Sequence, residues 1–214
     1  MRIAMLSDTH TQFEGLTVPP CDLLISAGDY SHRGEKESVI RYHRWLHKQP
    51  ADLVLSVQGN HEVWVQDNWD DAKALVDELS DKIHFVRESS LQYGGRRIFG
   101  SAFSPEFNNW AYSLQRGKPS IEHWKAIPSD TEILVTHGPP YGILDKVRED
   151  TRVPLGCEAL RKRIKDLKRL KLHVFGHIHG GSGEKLVDGV LYVNAAICNE
   201  QYRPVNPVRV VDID

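Results

Sequence analysis

Short apolar runs rich in leucine and β-branched residues alternate along the chain with longer segments of helical period. The runs over Arg2–Ser7, Asp22–Ala27, Leu53–Gln58, Arg96–Gly100 and Ile133–Thr136 predict strands. So do Leu172–Phe175, Lys185–Val187, Leu191–Asn194 and Val208–Ile213. Helical spacing covers Lys36–Lys48, Trp69–Ser80 and Cys157–Lys171. Glycine-bearing turns at Gly94–Gly95 and Asp188–Gly189 predict hairpins. Strand–helix alternation in the first half implies parallel βαβ units, and hairpins in the second half imply antiparallel additions. The expected fold class is therefore α/β, with mixed sheets covered by helices. Nothing in the chain resembles a repeat or a linker, so residues 1–214 read as one domain. The segment from Phe103 to Lys118, with Pro105, two adjacent asparagines and the aromatics Phe107, Trp110 and Tyr112, reads as a surface loop or short helix. The mouth of the active site is one location for it.

Composition narrows the picture by exclusion. No apolar run approaches the roughly 20 residues of a membrane span. At the N-terminus, MRIAMLSDTH runs from a short apolar stretch straight into polar residues, which is unlike a secretory signal. Cys21, Cys157 and Cys198 are widely spaced and odd in number, which disfavours a disulfide framework or a thiolate zinc site and fits a reducing cytoplasm. With a net charge of −2, the chain as a whole does not attract nucleic acid or anionic membrane.

The chemistry lies where the strands end. Arg2–Ser7 delivers Asp8-Thr9-His10, Asp22–Ala27 delivers Gly28-Asp29, and Leu53–Gln58 delivers Gly59-Asn60-His61-Glu62. Ile133–Thr136 delivers His137-Gly138, and Leu172–Phe175 delivers Gly176-His177-Ile178-His179. In open α/β sheets ligands gather outside the carboxyl ends of the strands, so these clusters can converge despite their separation in sequence. Glycines at 28, 59, 138 and 176 permit the sharp turns and close approaches required there. Carboxylate oxygen and imidazole nitrogen suit Mn, Fe, Zn and similar ions. Asp8 and His10, and likewise His177 and His179, are two residues apart, which places both side chains on one face of an extended segment. A carboxylate such as Asp29 can bridge two ions, and two ions about 3.5–4 Å apart can clamp a phosphate and acidify a bound water. Each motif alone has an ordinary explanation as a turn, cap or buried histidine. Their order and their repeated position after strands favour a metal centre.

Together these residues resemble the calcineurin-like metallophosphoesterase family, whose pattern is DxH…GD…GNH[DE]…H…GHxH. The resemblance implies a four-layer α/β/β/α sandwich with two mixed sheets. It assigns Asp8, His10, Asp29 and His179 to one metal and Asn60, His137 and His177, with Asp29 bridging, to a second. It makes a metal-bridging hydroxide the nucleophile, and it gives His61 contact with the phosphate and the role of protonating the leaving oxygen, a task suited to histidine. Within the family, THGPPYGILD, FGHIHGGSG and VNAAICNEQYRPVNP look most like the small brain-type metallophosphoesterase-domain phosphodiesterases and their microbial relatives. That implies two metal ions (Mn, Fe, Zn or similar) and a small diester or cyclic nucleotide as substrate. GDYSHRG resembles the phosphoprotein phosphatases, but His32 stands where they carry an aspartate. Phosphomonoesterase, nuclease and non-catalytic scaffold are the alternative functions.

Arg33 matches a phosphate-contacting arginine of that phosphatase branch and equally reads as a solvated loop residue. Glu62 reads as a helix cap or as an orienter of His61. Trp64 and Tyr141 read as packing or rim residues, with base stacking the alternative, and His32 as an exposed loop histidine. Cys157–Lys171 holds seven Lys/Arg and two acids around an apolar stripe of Leu160, Ile164 and Leu167. It reads as an amphipathic helix with a solvated basic face; a nucleic-acid patch is the less favoured reading.

Overall fold

A computed structural model describes residues 1–147 and 153–213. The first half runs β1 (Arg2–Leu6), β2 (Cys21–Ala27), α1 (Lys36–His47), β3 (Ala51–Val57), α2 (Val63–Asp67), α3 (Trp69–Leu79) and β4 (Ile83–Val86). It continues with β5 (Glu88–Tyr93), β6 (Arg96–Ser101), β7 (Ser104–Pro105), β8 (Ser113–Leu114), α4 (Lys118–Trp124) and β9 (Ile133–Thr136). Then follow α5 (Glu158–Ile164), β10 (Leu172–Phe175), β11 (Gly183–Val187), β12 (Val190–Asn194) and β13 (Arg209–Asp212).

Two mixed sheets result. The first has the order β13-β1-β2-β3-β4, parallel except for β13. The second has the order β11-β12-β10-β9-β6-β5, parallel at its centre with an antiparallel strand at each edge. Strand periodicity explains how they stack. In β1, Ile3 and Met5 face the second sheet, where they meet Ile133, Val135 and Val174. The alternate residues Ala4 and Leu6 face the other way, onto Val39, Tyr42 and Leu46 of α1. The second sheet is covered likewise, with Leu134 and Phe175 packed against Trp124 of α4 and Leu160 and Ile164 of α5. Both faces of the central strands are thus dry, which is why they read as continuous apolar runs. Each fully buried Leu or Ile contributes roughly 1.5–3 kcal/mol. The architecture is the expected α/β/β/α sandwich.

The predicted hairpins form, with Tyr93 opposite Arg96 and Val187 opposite Val190. Their two-residue loops have positive φ throughout, as a type I′ turn requires. The predicted helix Cys157–Lys171 is corrected. Cys157 is the cap, its Sγ accepting from the Leu160 amide, and the regular helix stops at Ile164. Beyond it Leu167 and Leu170 are still buried, but the backbone tightens into i→i−3 bonds at Asp166, Leu167 and Leu170.

Candidate metal centre

Strands β1, β2 and β3 are neighbours in one sheet, and β9 and β10 in the other. Their carboxyl ends lie together at one end of the sandwich, so Asp8, His10, Asp29, Asn60, His61, His137, His177 and His179 converge. Three groups of these residues hold ligand atoms within 4.8 Å of one another: Asp8, His10 and His179; His10, Asp29 and His61; and Asp29, His137 and His177. Convergence carries a conformational cost. Asp8, His10, Asp29 and His177 all have positive φ, between 41° and 66°, a region that costs non-glycine residues of order 1–3 kcal/mol each. Gly28 sits at φ 100°, and a Cβ there would strike the Gly59 amide and His137 Nδ1. At Gly176 a Cβ would overlap the Asp8 carboxylate.

Four imidazoles are aimed in the same way. Nδ1 of His10, His61, His137 and His179 lies 3.3, 3.0, 2.8 and 2.9 Å from the backbone carbonyls of Ser31, His32, Ala27 and Asn199. A carbonyl only accepts, so each Nδ1–H donates and, in the neutral ring that binds a metal, each Nε2 is turned inward with its lone pair. His10 Nε2 and His179 Nε2 then meet at 3.2 Å, two acceptors facing one another. His137 Nε2 lies 2.9 Å from Asn60 Oδ1 and 3.2 Å from Asp29 Oδ2. Acceptors pressed together around buried carboxylates are a site that a cation completes, and the donor set of N and O fits Mn, Fe or Zn.

The titration behaviour agrees. Burial opposes charge on His137 and His179, yet the carboxylates of Asp29 and Asp8 outweigh it and push both pKa values up to about 9. Burial likewise works against Asp8 and Asp29, but the surrounding histidines hold both carboxyls low. Burial takes His10 and His177 down to about 4, so both are neutral and ready to bind a metal. Without a metal, protons on His137 and His179 stand in for the missing positive charge.

Glu62 corrects the sequence expectation, since it neither caps α2 with its side chain nor bonds His61. Fully buried, its Oε2 accepts from the Asp29 and Gly59 amides at 2.9 and 2.8 Å, and its Oε1 accepts from the amide and hydroxyl of Ser31. Burial and the neighbouring Asp29 push its pKa up to about 8, while these hydrogen bonds pull the other way. All four donors point at carboxylate oxygens, so the ionised form is the one they satisfy. Glu62 therefore ties the turn after β2 to the turn after β3.

A cleft of about 400 Å³ opens over the ligands, with Phe107, Trp110, Glu200 and Tyr202 on its walls. Trp110 stacks on His61 with centroids 4.3 Å apart, and Tyr202 meets His10 edge-on at 4.6 Å. The 103–118 segment is thus at the mouth of the site. Arg33 is exposed, its guanidinium 5.2 Å from the Trp110 ring centroid rather than among the ligands. His32 is exposed and serves His61 through its carbonyl. Trp64 packs beneath the first sheet, and Tyr141 is absent from the cleft wall. Among the described residues no helix is long and apolar enough to cross a membrane.

Residues 1–181 match the calcineurin-like phosphoesterase family, and the chain belongs to that family. Membership implies hydrolysis of phosphoric esters at a metal-binding site. Among its relatives, metallophosphoesterase domain-containing protein 1 of Homo sapiens is 32% identical over 235 residues, covering 99% of this chain and 71% of the human protein. UPF0046 protein K07C11.7 of Caenorhabditis elegans is 31% identical over 219 residues, covering 96% and 74%. The crystal structure of phosphopantetheinyl hydrolase from Mycobacterium tuberculosis superposes with a TM-score of 0.66 at 16% identity, over 99% of this chain and 96% of that one, which speaks to the fold alone.

Proposed function

We propose that the protein is a dinuclear phosphodiesterase acting on small diesters. Asp8, His10, Asp29 and His179 would hold one ion, and Asn60, His137 and His177, sharing Asp29, the other. Bound there, the ions would supply the positive charge that clamps the phosphoryl group and acidifies the attacking water. His61 is held through Nδ1–H, so a proton on Nε2 points into the cleft and passes to the departing alkoxide, an oxygen that leaves poorly without one. The Asp29 carboxylate, with Oδ1 accepting from the His61 amide at 2.8 Å and Oδ2 3.9 Å from Nε2, fixes the ring beside the ligands.

The observation that carries the diester preference is the cleft wall. Trp110 and Tyr202 lie against two different histidines of the floor, room and apolar surface for two organic substituents. Glu200 on the same wall disfavours a monoester dianion more than a diester monoanion. The test is hydrolysis of bis-p-nitrophenyl phosphate beside p-nitrophenyl phosphate by metal-stripped protein resupplied with Mn²⁺. Metal-dependent release favouring the diester is expected. Monoester preference would sink the diester assignment, and turnover indifferent to metal would sink the dinuclear one.

A further inference from the structure

We infer that Trp110 is a positioning residue for the proton transfer, holding the imidazole of His61 in the plane that aims Nε2 at the leaving oxygen. This rests on the reading of His61 as the proton donor. Beside the Asp29 carboxylate 3.9 Å from Nε2, the His61 ring is held by the Nδ1–H bond to the His32 carbonyl, by edge contacts with His10 at 4.6 Å and Tyr202 at 6.5 Å, and by the face of Trp110 at 4.3 Å and 26°. Of these, Trp110 is the one that lies face to face with the ring. A hydrogen bond along one nitrogen lets an imidazole tilt about that axis, and a stacked indole opposes the tilt.

Trp110 is itself built into place from several directions. The amide of the next residue, Ala111, donates to the Asn60 carbonyl at 3.0 Å, so the indole is tethered to the turn that carries His61. Its own carbonyl accepts from the Ser113 hydroxyl at 2.8 Å, and the Arg33 guanidinium lies over the indole. The flanking residues Asn108, Asn109 and Tyr112 all take positive φ near 50°, a conformation that persists where the surroundings over-determine it. The Arg33 backbone is held as well, its carbonyl accepting from the Trp64 amide at 3.0 Å.

The leaving group reads this role directly. p-Nitrophenolate departs without a proton, whereas phenolate gains from one, so a residue acting through the proton donor matters for one ester and not the other. With Mn²⁺-loaded enzyme, Trp110→Ala is expected to raise KM for both esters alike, as the loss of a cleft wall requires, and to lower kcat about tenfold more on diphenyl phosphate than on bis-p-nitrophenyl phosphate. His61→Ala shows the same selectivity in kcat more strongly, and the double variant loses no further kcat. Trp110→Phe, which keeps a stacking ring, recovers most of the rate and serves as the measurement if the alanine variant fails to fold. In metal-free protein, exchange of the His61 Nδ1–H proton followed by NMR is expected to quicken in Trp110→Ala. Equal loss of kcat on both esters, or a change confined to KM, overturns the inference while leaving His61 as donor. If His61→Ala itself shows no dependence on leaving group, the donor assignment fails, and the role of Trp110 falls with it.

Discussion

The two sheets bring different chemistry to one site. The first sheet's strand ends supply the oxygen donors Asp8, Asp29 and Asn60 along with His10 and His61; the second sheet's supply His137, His177 and His179, imidazoles only. The difference governs charge. Two carboxylates against two divalent ions would leave a net positive centre, and neutral imidazoles would complete the coordination without cancelling it. A second sheet that delivered carboxylates would hold metal well and repel phosphate. The bracing also crosses the seam. His137 donates to the Ala27 carbonyl of β2, and the His177 amide donates to the Asp8 carboxylate beyond β1.

Asp29→Asn gives the largest break, because this carboxylate belongs to two of the three ligand groups. Bound metal measured by elemental analysis should fall from about two ions per chain toward none, with activity lost alongside. His137→Ala and His179→Ala each remove an imidazole from a single group, so each should keep about one ion per chain. If either variant lost both ions, the two groups would be inseparable and the division between sheets would mean little.

Glu62→Gln tests the first sheet's own bracing. An amide nitrogen would face an N–H donor where an oxygen now accepts, costing about 1–3 kcal/mol, visible as a lower urea midpoint with fluorescence as the probe. The smallest effect is set by pH in the metal-free protein. His137 and His179 have folded pKa values raised from 6.5 to about 9, so their contribution is full below pH 6.5 and is lost as pH rises toward 9. Across that window His10 and His177, lowered to about 4, are neutral in both states and contribute nothing. Metal-free protein should therefore lose stability between pH 6.5 and 9. Protein loaded with Mn²⁺ should not, because the ions replace those protons.

The convergence of the candidate ligands was legible because they follow apolar strands buried on both faces, a pattern visible along the chain. Strand β5 was not. Its sequence, Glu88–Tyr93, exposes half of its side chains, buries none fully, and is held by pairing with β6. Trp110 and Tyr202 were read only as parts of longer segments, since their contacts with His61 and His10 span 49 and 192 residues and follow no period. Glu62 was misread because a carboxylate beside a helix start is commonly a cap, and only the tertiary fold brings the Asp29 and Ser31 amides within its reach. Local pattern reports what a residue is, while partners across the fold decide what it does.

The match to the family ends at Gly181, yet the last touches to the cleft come from beyond it. Asn199 orients His179 with a main-chain carbonyl, a group present in all amino acids, and Tyr202 offers a ring set edge-on against His10. The carbonyl that aims His179 is therefore set by the backbone of the 199–203 loop, which Asn199 Oδ1 braces by accepting from the Gln201 and Arg203 amides, so the other side chains of that loop can change without moving the candidate ligands.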